Sequence, residues 1–187
     1  SFFGILSNLI KYGTHSNYTH VCMIIKDPIF IHPSLKGLYV WESGWEGSAD
    51  PQDGLVKLGV QITPLHEIVY KYTQSPNTKI IVRKIKCDRK ECFSPNRLNS
   101  IRKIVYNKPY DILPLDWIET LFGHDRHPQK LDRFWCSALI GFIYVECGII
   151  SRHTDWSILS PNDFSLSGDT LKYINGNSLE SSERSLI

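Results

Sequence analysis

Cys136 stands at the head of a short apolar run, "RFWCSALIGFIY" (133–144), in which Trp135, Leu139, Ile140, Ile143 and Tyr144 recur at helical spacing. A thiol reacts as its thiolate, and the unpaired N–H groups of a helix's first turn stabilise that charge. The same groups can hold a developing oxyanion, so one position would supply a nucleophile and part of an oxyanion hole. A cysteine also packs as a small hydrophobe, and on this feature alone both readings stand.

A nucleophilic thiol needs a base within hydrogen-bond reach, and the chain has seven histidines. His15, His32 and His66 fall in loops or at a helix start, and His124, His127 and His153 lie in polar surroundings. His20 differs because it opens the strand "HVCMII", a rigid element that would fix its ring; a structural histidine is the competing reading. A third group must orient the imidazole. Glu42 is the acid in an odd setting, since a carboxylate among the strand aromatics of "YVWESG" costs free energy unless paired. If strands 20–26 and 38–43 are neighbours, Glu42 meets the His20 ring. Glu46 and Asp50 are read as solvated loop acids.

Cys87 and Cys92 with His124 and His127 offer a zinc set on paper. Four residues between the cysteines and two between the histidines fit the usual ligand spacings poorly, so neither metal nor cofactor is expected.

The elements that must position these residues follow from periodicity and punctuation. Residues 2–12 form a helix-like face ended by Gly13, and Val21–Ile25 a strand stopped by Asp27-Pro28. "GLYVWESG" (37–44) is a second strand, 43–54 a loop, and "GVQITPLHEIV" a third strand passing into a helix at Pro64. A strand over 78–87 and a helix over 95–106 come next, with Leu98, Ile101, Ile104 and Val105 on one side. Residues 111–133 read as loop, and the Cys136 helix ends at Gly148. Residues 1–173 are read as one domain and the Ser/Gly/Asn-rich 174–187 as a flexible tail.

Composition excludes little: 187 residues, 42% hydrophobic and 21% charged, describe an ordinary globular chain. A net charge of +2 makes no electrostatic case for nucleic acid, although 83–103 carries eight Lys or Arg against Asp88 and Glu91, read as a solvated face. Five irregularly spaced cysteines favour a reducing compartment over a disulfide framework. No apolar run approaches the roughly 20 residues of a transmembrane helix, and no signal peptide is visible. The chain starts at Ser1 rather than methionine, which leaves room for a preceding segment.

Taken in order, "LIKYGTHSNYTHVCMII", "VWESG", "GVQITPL", "FWCSALIGFIY" and "SPNDF" resemble the permuted branch of the NlpC/P60 papain-like superfamily, the YiiX-like group found in bacteria and large DNA viruses. The resemblance spans residues 2–165. Its specificity lies in the order of the pieces: ordinary papain-like enzymes carry cysteine before histidine, and the reverse order marks the permutation. The family's opening Gly-Asp strand is absent, and Cys22 stands where relatives often have glycine; Cys22 is read as core.

The resemblance implies an α+β, circularly permuted papain-like fold, with a small antiparallel sheet or barrel packed against the helix bearing the cysteine. It implies a cysteine hydrolase of the amidase or peptidase type with Cys136 as nucleophile, His20 as general base and acid, and Glu42 as third residue. Tyr18, Ser137 and Trp41 are the accompanying substrate or oxyanion candidates. The implied partner is a peptide, amide or acyl-ester substrate, and the implied location cytoplasmic or within a virion. Two alternatives stand beside it: a lipid acyl hydrolase or acyltransferase with Phe2, Phe3, Trp41 and Trp45 lining an apolar groove, and a catalytically silent structural or interaction module.

Overall fold

The β-branched and aromatic run "LYVWESG" forms β2 (Leu38–Gly44), the central strand of a three-stranded antiparallel sheet. β1 (Met23–Lys26) pairs along one side, from Met23↔Trp41 to Lys26↔Leu38. β3 (Gly59–Pro64) pairs along the other, from Tyr39↔Pro64 to Gly44↔Gly59. The structure is a computed structural model that describes residues 18–75, 78–111 and 131–187. Among these residues it is a mixed α+β arrangement of small antiparallel sheets and four helices.

Alternation along the strands splits the sheet into two faces. Met23, Ile25, Trp41, Val60 and Ile62 join the main apolar core. Val40 and Glu42 take the opposite face, and Leu38, of the same parity, meets α1 (Leu65–Thr73), which packs on β2 and β3. α2 (Arg89–Cys92) is a single turn capped by Asp88, whose Oδ1 accepts the Lys90 and Glu91 N–H groups. α3 (Pro95–Val105) buries Leu98, Ile101 and Val105, the side that its spacing predicts.

α4 (Cys136–Glu146) is buried all round rather than along one stripe: every residue from Cys136 to Val145 is inside. It packs against β2, α3 and the 3-10 turn Trp156–Ile158, while Phe134, Phe142 and Trp156 meet at 5.4 to 5.6 Å between ring centroids. A helix apolar around its whole circumference belongs inside, and this one is the centre of the core.

Four expectations are corrected. The single strand expected over 78–87 is two short ones, β4 (Ile81–Val82) and β5 (Ile85–Lys86). They pair with β7 (Arg184–Ser185) and β6 (Ser178–Leu179) respectively, so the segment read as a flexible tail carries two paired strands. Arg83, between β4 and β5, donates from Nε and Nη2 to the Glu180 carbonyl and from Nη1 to the Phe164 carbonyl, and Leu179 is buried. Backbone pairing and one guanidinium thus order a polar segment that has little apolar side chain to bury.

Cys22 is exposed, not core: β1 begins only at Met23, and Cys22 takes the parity opposite to the inward Met23 and Ile25. Asp50 and Glu46 are not solvated. Asp50 is buried against Lys57 Nζ at 2.9 Å, and the Glu46 carboxylate is held by Lys71 Nζ at 2.8 Å. The expected helix over 2–12, with Phe2, Phe3 and His15, and most of the 111–133 loop, with His124 and His127, lie outside the described residues. No helix among the described residues is long and apolar enough to cross a membrane.

Candidate active site

Continuing the β1–β2 register back from Met23↔Trp41 sets His20 opposite Gly44. Glu42, two residues back on the same face, becomes its diagonal neighbour, within reach of long side chains. His20 Nε2 lies 2.7 Å from Glu42 Oε2. A carboxylate only accepts, so Nε2 carries the proton and Nδ1 is the ring nitrogen left for Cys136. Gly44 makes room for this contact: a Cβ there would stand 3.3 Å from His20 Cε1 and 3.4 Å from Glu42 Oε2. Glu42 is 2% exposed, and its Oε1 finds no donor among the described residues, so the imidazole is the group that compensates its buried charge.

Cys136 opens α4, with Trp135 before it in extended backbone (φ −87°, ψ 174°) as the capping position. The His20 ring and the Val21 and Ser137 N–H groups are the neighbours that stabilise its thiolate. Burial pushes the thiol up, but the imidazolium and the two N–H groups outweigh it and hold Cys136 below the usual thiol range. The converse holds for His20: loss of hydration disfavours its charge, but the Cys136 thiolate first and Glu42 second raise it well above the ordinary imidazole value. The arrangement favours a thiolate–imidazolium pair. The His20 side chain keeps 38% exposure, whereas Cys136 is 3% exposed, so solvent meets the pair on the imidazole side.

The cysteine is brought to the histidine through backbone contacts at the sheet's end. Phe134 N–H donates to the Pro109 carbonyl (3.1 Å), and the Phe134 carbonyl accepts from Asp111 N–H (3.2 Å) and from buried Ser43 Oγ (2.6 Å). Residues 108–110 lie against β3 in turn, with Val60 N–H on the Lys108 carbonyl (2.9 Å) and Tyr110 N–H on the Leu58 carbonyl (3.2 Å). That approach needs Gly59, where a Cβ would come within 2.3 Å of the Lys108 carbonyl oxygen.

Tyr110, which the sequence reading passed over, pairs with Phe134 in a parallel bridge, and its phenol interacts with the Cys136 thiol. Burial and the neighbouring thiolate raise this phenol well above its usual range, so it stays a protonated donor beside Cys136. Nothing in its local sequence signals this, because the contact depends on a bridge across 24 positions of chain.

The three accessory candidates fall in different places. Tyr18 donates its hydroxyl to Glu183 Oε2 (2.9 Å), a residue of the C-terminal segment. Trp41 is 1% exposed and packs in the core beside Phe30 at 5.9 Å, because its parity on β2 points inward. The Ser137 hydroxyl donates to the Leu159 carbonyl; what Ser137 presents to Cys136 is its backbone N–H. Elsewhere, burial raises Cys147 to about 12, and burial with the neighbouring Cys92 raises Cys87 to about 11. Among the described residues no group of three or more His, Cys, Asp or Glu is arranged to hold a metal ion. No family model matches the sequence, and no curated protein or solved structure is found to be similar.

Proposed function

We propose that the protein is a cysteine hydrolase of the amidase or peptidase type, with a permuted papain-like arrangement of the NlpC/P60 kind. The observation that carries this reading is that a single imidazole, His20, is held by Glu42 at 2.7 Å and shared with the Cys136 thiol at the start of a buried helix. Cys136 is the nucleophile, His20 the general acid and base, and Glu42 keeps the imidazole in one orientation.

The Cys136 thiolate attacks the substrate carbonyl carbon, and negative charge moves to its oxygen. The Val21 and Ser137 N–H groups and the Tyr110 hydroxyl are donors beside the sulfur that can take up this charge. As the C–N bond breaks, His20 Nδ1 gives its proton to the leaving amine and a thioacyl-enzyme remains. A water then loses a proton to His20 and attacks the thioester, which releases the acid and restores the thiolate.

The test is trapping. A panel of acyl amides, peptides and acyl esters is incubated with the protein, and intact mass spectrometry follows an adduct on Cys136. The expected result is an acyl adduct that builds and decays in the wild type and is absent in Cys136→Ala. Turnover that persists in a folded Cys136→Ala overturns the assignment. Preference for lipid esters over amides would move the substrate class to acyl chains, a reading weakened by the burial of Trp41.

A further inference from the structure

Gln61 is 1% exposed and stands directly opposite Glu42 in the sheet register. Its Nε2 donates to the Gly44 carbonyl at 2.7 Å and approaches the Lys57 carbonyl at 3.5 Å. Two carbonyls on one side fix the orientation of the amide: nitrogen toward them, Oε1 away. Oε1 then finds no donor among the described residues, so the chain keeps a buried acceptor unsatisfied where an apolar side chain of the same size would leave none. What the amide supplies in return is a grip on one backbone carbonyl.

That carbonyl belongs to the residue over which the His20 ring lies. In the sheet Gly44 pairs with Gly59, so the end of β2 is built from two facing glycines, the pair with the greatest backbone freedom and no side chains to lock it. Glu42, two residues back, depends on the same stretch of backbone for its aim at Nε2.

We infer that Gln61 is a positioning residue for the His20–Glu42 pair, holding the Gly44 carbonyl so that position 44 stays beneath the imidazole and Glu42 stays in line with Nε2. The inference rests on reading His20, Glu42 and Cys136 as the working site. Gln61 touches neither the thiol nor a substrate in this role; it acts through Gly44.

Gln61→Met keeps length and volume but removes the donor, and Gln61→Asn keeps the amide but is too short to reach Gly44. Two readouts separate positioning from folding: the His20 titration followed by nitrogen-15 NMR, and the pH dependence of Cys136 alkylation, with the thermal midpoint as control. Both variants should lower the His20 pKa by about one unit and slow Cys136 labelling near pH 6 about tenfold. Gly44→Ala, which crowds the ring from below, should shift both readouts the same way. Unchanged titration and labelling in either folded Gln61 variant overturns the inference, even if the thermal midpoint drops. If wild-type Cys136 labels no faster than the other cysteines, the hydrolase reading falls, while the His20 titration still decides the role of Gln61.

Discussion

Glu42 and Ser43 are adjacent on β2, and their side chains leave the strand on opposite faces to hold the two halves of the site. Glu42 Oε2 fixes His20 Nε2 at 2.7 Å, and Ser43 Oγ fixes the Phe134 carbonyl, two residues before Cys136, at 2.6 Å. One strand therefore sets the distance between base and thiol, although those residues lie 116 positions apart in the chain.

Ser43→Ala should cost about 1 kcal/mol, the net worth of one buried hydrogen bond, because the Phe134 carbonyl keeps its second donor from Asp111. The measurement is the urea midpoint. An unchanged midpoint would mean that β2 does not anchor the cysteine segment.

The pH profile of kcat/KM should be a bell whose limbs belong to the coupled pair. Cys136 is held below its ordinary value, so thiolate is lost only as pH falls through that lowered pKa, and the acid limb lies below the roughly 8.5 of a free thiol. His20 is raised, so the imidazolium needed by the leaving group is lost only as pH rises through that raised pKa, and the alkaline limb lies above roughly 6.5. A single ascending limb near 8.5 would show an unactivated thiol.

Glu42→Gln keeps shape and removes the charge. The His20 pKa should fall, so the alkaline limb moves down and the bell narrows from that side by about one unit. A profile of unchanged width would separate Glu42 from the proton chemistry and leave it a purely structural acid.

Tyr110→Phe keeps the ring and its bridge position but removes the hydroxyl beside the sulfur. If that hydroxyl also serves the oxyanion, kcat should fall roughly a hundredfold with the thermal midpoint nearly unchanged. Unaltered kcat would limit Tyr110 to packing.

Much of the local structure was legible in the order of residue types. β2 and β3 announce themselves by β-branched and aromatic runs bounded by glycine and proline, and α3 by its spacing of Leu98, Ile101 and Val105. Cys136, His20 and Glu42 stood out because each is chemically expensive or unusual where it sits, and the structure brings the three together. The strand at 78–87 misled because "IIVRKIK" has strand composition throughout, whereas Arg83 turns aside to bind the Glu180 and Phe164 carbonyls.

By itself the sequence determined the candidate thiol, base and acid and the elements that bear the thiol and the acid, because a residue's type and its immediate neighbours set local propensity and intrinsic chemistry; His20 lies ahead of β1 rather than opening it. Only the tertiary structure decided that Trp41 points into the core, that Tyr110 reaches the sulfur, that Gln61 grips Gly44 and that residues 178–185 pair with β4 and β5. Each of these depends on strand register and on contacts between segments far apart in the chain. A shift of one residue in register would exchange the two faces of β2, taking Trp41 off the main core and Glu42 away from His20 without changing a letter of the sequence.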